Sequence, residues 1–92
     1  MPIAGTVHIT GHVQGVFFRE WTVKVANRLG VNGWVCNRID GSVEIYVDGE
    51  PDEIKEFIAE VRNGSPASRV DDVKIVPAQL ERVAGFMRRA TV

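Results

Sequence analysis

Two periodicities take turns along this chain. Thr6-Val7-His8-Ile9-Thr10 alternates polar and apolar residues, the period of a strand with one face on a core, and predicts Val7 and Ile9 inside with His8 on the open face. From Phe18 the interval lengthens. Phe18, Trp21, Val25 and Leu29 recur every three or four residues with Thr22 and Ala26 beside them, which is one face of a helix, while Glu20, Lys24 and Arg28 take the other. Gly30 supplies its left-handed C-terminal cap. The same spacing makes core packing a stronger account of Phe17, Phe18 and Trp21 than a platform for stacked bases.

Strand patterns return in Gly33-Trp34-Val35-Cys36-Asn37-Arg38 and in Ser42-Val43-Glu44-Ile45-Tyr46-Val47, with Asp40-Gly41 between them as a hairpin turn. These two strands should be antiparallel. Asp48-Gly49-Glu50-Pro51 then turns into a second helix: Pro51 suits the first helical position, Asp52 and Glu53 complement the dipole, and Ile54, Phe57, Ile58 and Val61 form the buried face. Asn63-Gly64 and Pro66 end it. A fourth strand lies within Val70 to Pro77, with Val73 and Ile75 toward the core, and Ala84 to Arg89 reads as a closing strand. The order β-α-β-β-α-β with a fifth strand after it is that of a ferredoxin-like α/β plait, an α+β fold with two helices on one face of a mostly antiparallel sheet.

Composition narrows the picture without naming a chemistry. With 92 residues and 45% apolar content, the chain can form one core, so residues 1–92 are expected to be a single domain. A net charge of −1 supplies no basic footprint for nucleic acid. Cys36 is the only cysteine, which rules out an internal disulfide or a multi-cysteine metal site and fits a cytoplasmic location. No leader pattern opens the chain and no apolar run is long enough to span a membrane.

The candidate chemistry sits where the first strand pattern gives way to the first helix, in Gly11-His12-Val13-Gln14-Gly15-Val16-Phe17-Phe18-Arg19. Two glycines four apart let the backbone turn and its N–H groups converge, and the helix start adds unpaired donors and a positive dipole end. Arg19 in the first helical turn is poorly placed for that dipole unless an anion lies between. A phosphate or carboxylate cradle follows, although a plain turn with a solvated arginine would look the same. The Lys-Ser or Lys-Thr of a nucleotide P-loop is missing, as is G-x-G-x-x-G. In the split β-α-β unit the first two strands run parallel, so the loop and Asn37 meet at one rim, roughly 10 Å apart if one strand separates them. His12 is a loop residue near that rim with a proton to offer; His8 has no partner spaced for a metal.

These residues resemble the acylphosphatase family. The loop matches its first signature, G-x-V-Q-G-V-x-F-R, and Gly33-Trp34-Val35-Cys36-Asn37 followed by Gly41-Ser42-Val43 is similar to its second. The resemblance is close over about residues 6 to 49 and extends by element order over the rest; Cys36 departs from the usual basic or polar residue before the asparagine. It implies a metal-independent, cofactor-free hydrolase that splits acyl phosphates into a carboxylate and inorganic phosphate. Arg19 and Asn37 would be the catalytic pair, with Gln14, Gly15, Val16, Phe17, Phe18 and Arg19 binding phosphate, Asn37 orienting the attacking water and Ser42 assisting nearby. A small acyl phosphate would be the partner, inorganic phosphate the product and inhibitor, and the chain a monomer. Two rivals keep the fold. Similar domains occur within hydrogenase-maturation carbamoyltransferases, although the short chain favours an independent hydrolase. RNA-binding modules share the plait, but Ser42 to Val47 lacks their basic-Gly-aromatic strand.

Overall fold

The computed structural model describes residues 1–92. The elements are β1 (Ile3–His12), α1 (Phe18–Leu29), β2 (Asn32–Asn37), β3 (Val43–Gly49), α2 (Pro51–Asn63), β4 (Arg69–Pro77) and β5 (Phe86–Arg89). The sheet runs β4-β1-β3-β2-β5, with β1–β3, β1–β4 and β2–β3 antiparallel and β2–β5 parallel. Both helices pack on one face, giving the ferredoxin-like plait extended by one short edge strand. Strands β1 and β2, each antiparallel to β3 between them, therefore run parallel and deliver their C-terminal ends to one rim.

The core follows from the two periodicities. Val7 and Ile9 from β1, Val35 from β2, and Val43, Ile45 and Val47 from β3 are fully buried with Phe18, Ala26, Phe57 and Val61 of the helices. Each of these Val, Ile and Phe side chains contributes about 1.5–3 kcal/mol by leaving water. Trp21 packs at the edge of this cluster, its ring 5.3 Å from that of Phe18, so the aromatic residues of α1 are structural. Phe17 is the exception. It is 78% exposed and belongs to the loop rather than the helix face.

The strands depart from their sequence patterns in instructive ways. Strand β1 extends to His12, because pairing with β4 continues through Gly11 opposite Val70 and His12 opposite Arg69 after a bulge at Thr10/Gly11. Gly11 thus serves the sheet rather than the turn: a Cβ there would lie 2.1 Å from the Arg69 carbonyl oxygen. Strand β3 begins at Val43 and runs through Asp48 and Gly49, which pair with Ala4 and Ile3 and are not a turn. Ile75 pairs with Val7 and so keeps the expected face, yet it is 43% exposed, since β4 is an edge strand that the helices cover only in part.

Candidate active site

The segment Val13–Phe17 leaves β1 at the rim and enters α1 through Phe17, whose φ of 60° and ψ of 27° are left-handed, as is the φ of 74° at Gly15. Such a backbone is costly for a phenylalanine, about 1–2 kcal/mol, and it tips successive N–H groups to one side. No side chain caps α1. The loop and cap hydrogen bonds begin only with the Trp21 N–H on the Phe17 carbonyl, leaving the N–H groups of Gly15 through Glu20 without a backbone acceptor there. Those donors and the positive dipole end form a concave site for an oxyanion.

Two links fix this loop to the rest of the rim. Gln14 Nε2 donates to the carbonyl oxygens of Arg38 and Ser42, 2.8 Å each, fastening the loop to the β2–β3 hairpin. Arg19 Nη1 donates to the Arg89 carbonyl at 2.9 Å, so the guanidinium is braced against β5. The loop therefore sits against the end of β2, where Asn37 lies. Its Oδ1 is buried and has no hydrogen-bond partner, although a buried amide oxygen ordinarily finds one. Asn37 is held by its backbone instead: its carbonyl accepts from the Val92 N–H at 3.0 Å.

Val13, Gly15, Phe17, Phe18, Arg19 and Asn37 line one cleft of about 290 Å³, closed on the far side by Glu20 and Arg88, which form an ion pair. The sequence-predicted pair Arg19 and Asn37 is thus brought together. The side chain of Gln14 is turned away into its latch and that of Val16 packs on the core, and neither residue lines the cleft. Ser42 lies outside it. Its hydroxyl donates to Asp40 Oδ1 at 2.6 Å and is 2.9 Å from His8 Nε2, its N–H donates to the same Asp40 oxygen, and its carbonyl holds Gln14. Asp40 is kept below the usual carboxylate range chiefly by the Ser42 hydroxyl and then by its N–H. His12 is exposed at the end of β1 and does not line the cleft. Burial raises the Cys36 thiol, which keeps it a protonated core group. Glu20 and Arg88 were not singled out from the sequence; only the parallel register of β5 on β2, with Arg88 opposite Val35, puts Arg88 on the helix side of the sheet.

Comparison with known proteins converges on one family. A family model described as acylphosphatase matches residues 5–87. An acylphosphatase of Rhizorhabdus wittichii is 49% identical over 90 residues, covering 98% of this chain and 91% of the relative. The crystal structure of acylphosphatase from Bacillus subtilis superposes with a TM-score of 0.91 at 36% identity, covering 97% of this chain and 99% of that one. Full-length HypF in its phosphate- and nucleotide-bound form is also similar, with a TM-score of 0.91 and 27% identity, but this chain spans only 12% of it. A donor-lined loop braced to two strand ends is thus found in a chain whose residues 5–87 match the acylphosphatase model, and the chain belongs to the acylphosphatase family.

Proposed function

We propose that residues 1–92 act as one acylphosphatase domain, a cytoplasmic monomer that hydrolyses small acyl phosphates to a carboxylate and inorganic phosphate. The observation that carries this reading is the one cleft that Gly15, Phe17, Phe18, Arg19 and Asn37 line together, beside a backbone whose N–H groups from Gly15 to Glu20 have no backbone acceptor. Gln14, Gly15, Val16, Phe17 and Phe18 hold the phosphoryl oxygens through backbone N–H groups, and Arg19 adds a planar fork that matches two of them. The Asn37 side-chain amide, which can both donate and accept, orients the attacking water on phosphorus without adding negative charge beside the phosphate. Ser42 assists at one remove, through its carbonyl on Gln14.

So spare a site suits this reaction because the bond broken is already activated. The departing carboxylate has a conjugate acid of pKa about 4 and leaves at neutral pH without a proton, so no general acid is needed. What the site must supply is fixed positive potential where charge gathers on the phosphoryl oxygens. No group of three or more His, Cys, Asp or Glu side chains stands at metal-ligand spacing, and the reading is of a metal-independent reaction. No helix is long and apolar enough to cross a membrane. The test is phosphate release from benzoyl phosphate with and without exhaustive chelation. Equal rates in both arms are expected; release that chelation abolishes and magnesium restores would overturn the metal-free mechanism, and no release in either arm would overturn the activity.

A further inference from the structure

The first turn of α1 carries two opposite charges side by side, and β5 takes hold of both. Arg19 Nη1 donates to the Arg89 carbonyl, and the neighbouring Arg88 forms the ion pair with Glu20 that closes one side of the cleft. Register makes this possible: Arg88 lies opposite Val35, on the face of the sheet that carries the helices, and so meets a residue 68 positions away in the chain. The two side chains are 51% and 41% exposed, so solvent screens their attraction and the pair adds little to stability. What it decides is where the Glu20 carboxylate lies.

With Phe17 as the N-cap, Glu20 is the third residue of the helix. A glutamate at that position is the one whose side chain reaches back to the N–H of its own N-cap, and its charge suits the positive dipole end. In α1 that N–H belongs to Phe17 and is one of the donors without a backbone acceptor. The chain therefore carries, beside its own oxyanion cradle, a carboxylate able to fill it. Yet no side chain caps α1, and the Glu20 carboxylate is held by Arg88 instead. We propose that Arg88 is a positioning residue, which draws Glu20 off the start of α1 and keeps the cradle open for phosphate. The proposal rests on the phosphate-binding reading of the loop given above. Released from Arg88, Glu20 meets two attractions at the cradle, the helix start and the Arg19 guanidinium. Against them stands only Lys24, one turn further along and exposed to screening water.

Titration calorimetry of the intact protein with inorganic phosphate, at an ionic strength matched with chloride, gives the reference Kd. Arg88→Met, or Arg88→Gln should the first fail to fold, is expected to weaken phosphate binding about fivefold, the upper effect of one charge at a helix start. Arg88→Lys still offers Glu20 a cation and should stay near the reference. Adding Glu20→Ala to Arg88→Met should restore the affinity. Because that pair of changes also restores the net charge, a second readout follows the cradle itself. Nitrogen-labelled phenylalanine gives four amide signals, and in phosphate-free Arg88→Met the Phe17 amide should gain protection from hydrogen exchange, then lose it when Glu20→Ala is added. Unchanged affinity in Arg88→Met overturns the proposal by sending Glu20 to Lys24. Weakening that Glu20→Ala does not relieve overturns it by making Arg88 a direct phosphate contact, and an unprotected Phe17 amide overturns it by leaving only a change of field. No phosphate binding by the intact protein overturns the cradle reading and this inference together.

Discussion

Helices α1 and α2 both begin without a side-chain hydrogen bond to their first N–H groups, yet they meet the same electrostatic demand in opposite ways. At α2 the chain answers itself: Pro51 enters in a ready conformation from an extended Glu50, and Asp52 and Glu53 set negative charge on the positive dipole end. At α1 the one acidic residue of the first turn, Glu20, is engaged by Arg88, the entry passes through a left-handed Phe17, and Arg19 adds positive charge. One start is complete in itself and the other leaves its donors for something outside the chain. The difference teaches that a binding site can be recognised by what a helix end leaves undone.

The comparison can be broken first at Arg19. Arg19→Gln should lower kcat/KM by on the order of a thousandfold, the upper range for losing one oxyanion donor, and weaken phosphate inhibition as well; Arg19→Lys should not restore it, since an ammonium lacks the planar fork. Asn37→Ala should lower kcat by on the order of a hundredfold, about 2.7 kcal/mol, with the phosphate inhibition constant little changed. Steady-state kinetics with phosphate as inhibitor, on variants shown by circular dichroism to be folded, tests both. Loss of phosphate binding in Asn37→Ala as severe as in Arg19→Gln would remove the water-positioning role.

Stability sharpens the contrast between the helix starts. Inorganic phosphate at about a hundred times its Kd should stabilise the fold by roughly 2.7 kcal/mol through α1. At α2, Asp52→Asn should cost only about 0.3–1 kcal/mol and leave the phosphate effect intact. Thermal melts with chloride as the ionic-strength control measure both; sulfate can compete for the same cradle and is the wrong control. A phosphate effect that grows in Asp52→Asn would mean that the anion sits at the wrong helix, where the carboxylate had competed with it.

The smallest effect is expected at the hairpin that carries Asn37. The Asp40 carboxyl is held below its ordinary range, first by the Ser42 hydroxyl and then by the Ser42 N–H. A lowered folded-state pKa stabilises above the unfolded value, near pH 4, and the contribution is lost as pH falls through the folded pKa. The Tm should therefore drop below about pH 4, and less steeply in Ser42→Ala. Asp71, lowered by its hydrogen bond with Arg69, contributes in the same direction in both proteins, so the difference between the two slopes isolates Asp40. Equal slopes would detach Ser42 from that carboxylate.

What was legible in the sequence was whatever depends on neighbours along the chain. Alternation at Val7 and Ile9, helical spacing from Phe18, and the turn at Asp40-Gly41 each report local geometry, and the two signatures gave Arg19 and Asn37 their candidate roles. The rest depends on partners far away. Glu20 and Arg88 meet across 68 residues, and only the parallel pairing of β5 with β2 brings them together. The Gln14 latch to the hairpin spans 24 to 28 residues and leaves no periodic trace. Ile75 shows the converse: its pattern is that of a core residue, but an edge position overrides it.

The hydrogen bond from Arg19 to the Arg89 carbonyl joins positions 70 apart in a chain of 92. During synthesis, then, the cradle loop emerges early with every donor it will ever have, but its guanidinium stays unbraced until the last strand leaves the ribosome and docks on β2. Closing so long a loop carries an entropic cost that only the nearly finished fold offsets, which puts this contact among the slow, non-local steps of folding. A chain without β5 would hold the signature without that brace, so the placement of the Arg19 guanidinium is tied to the docking of β5 on β2.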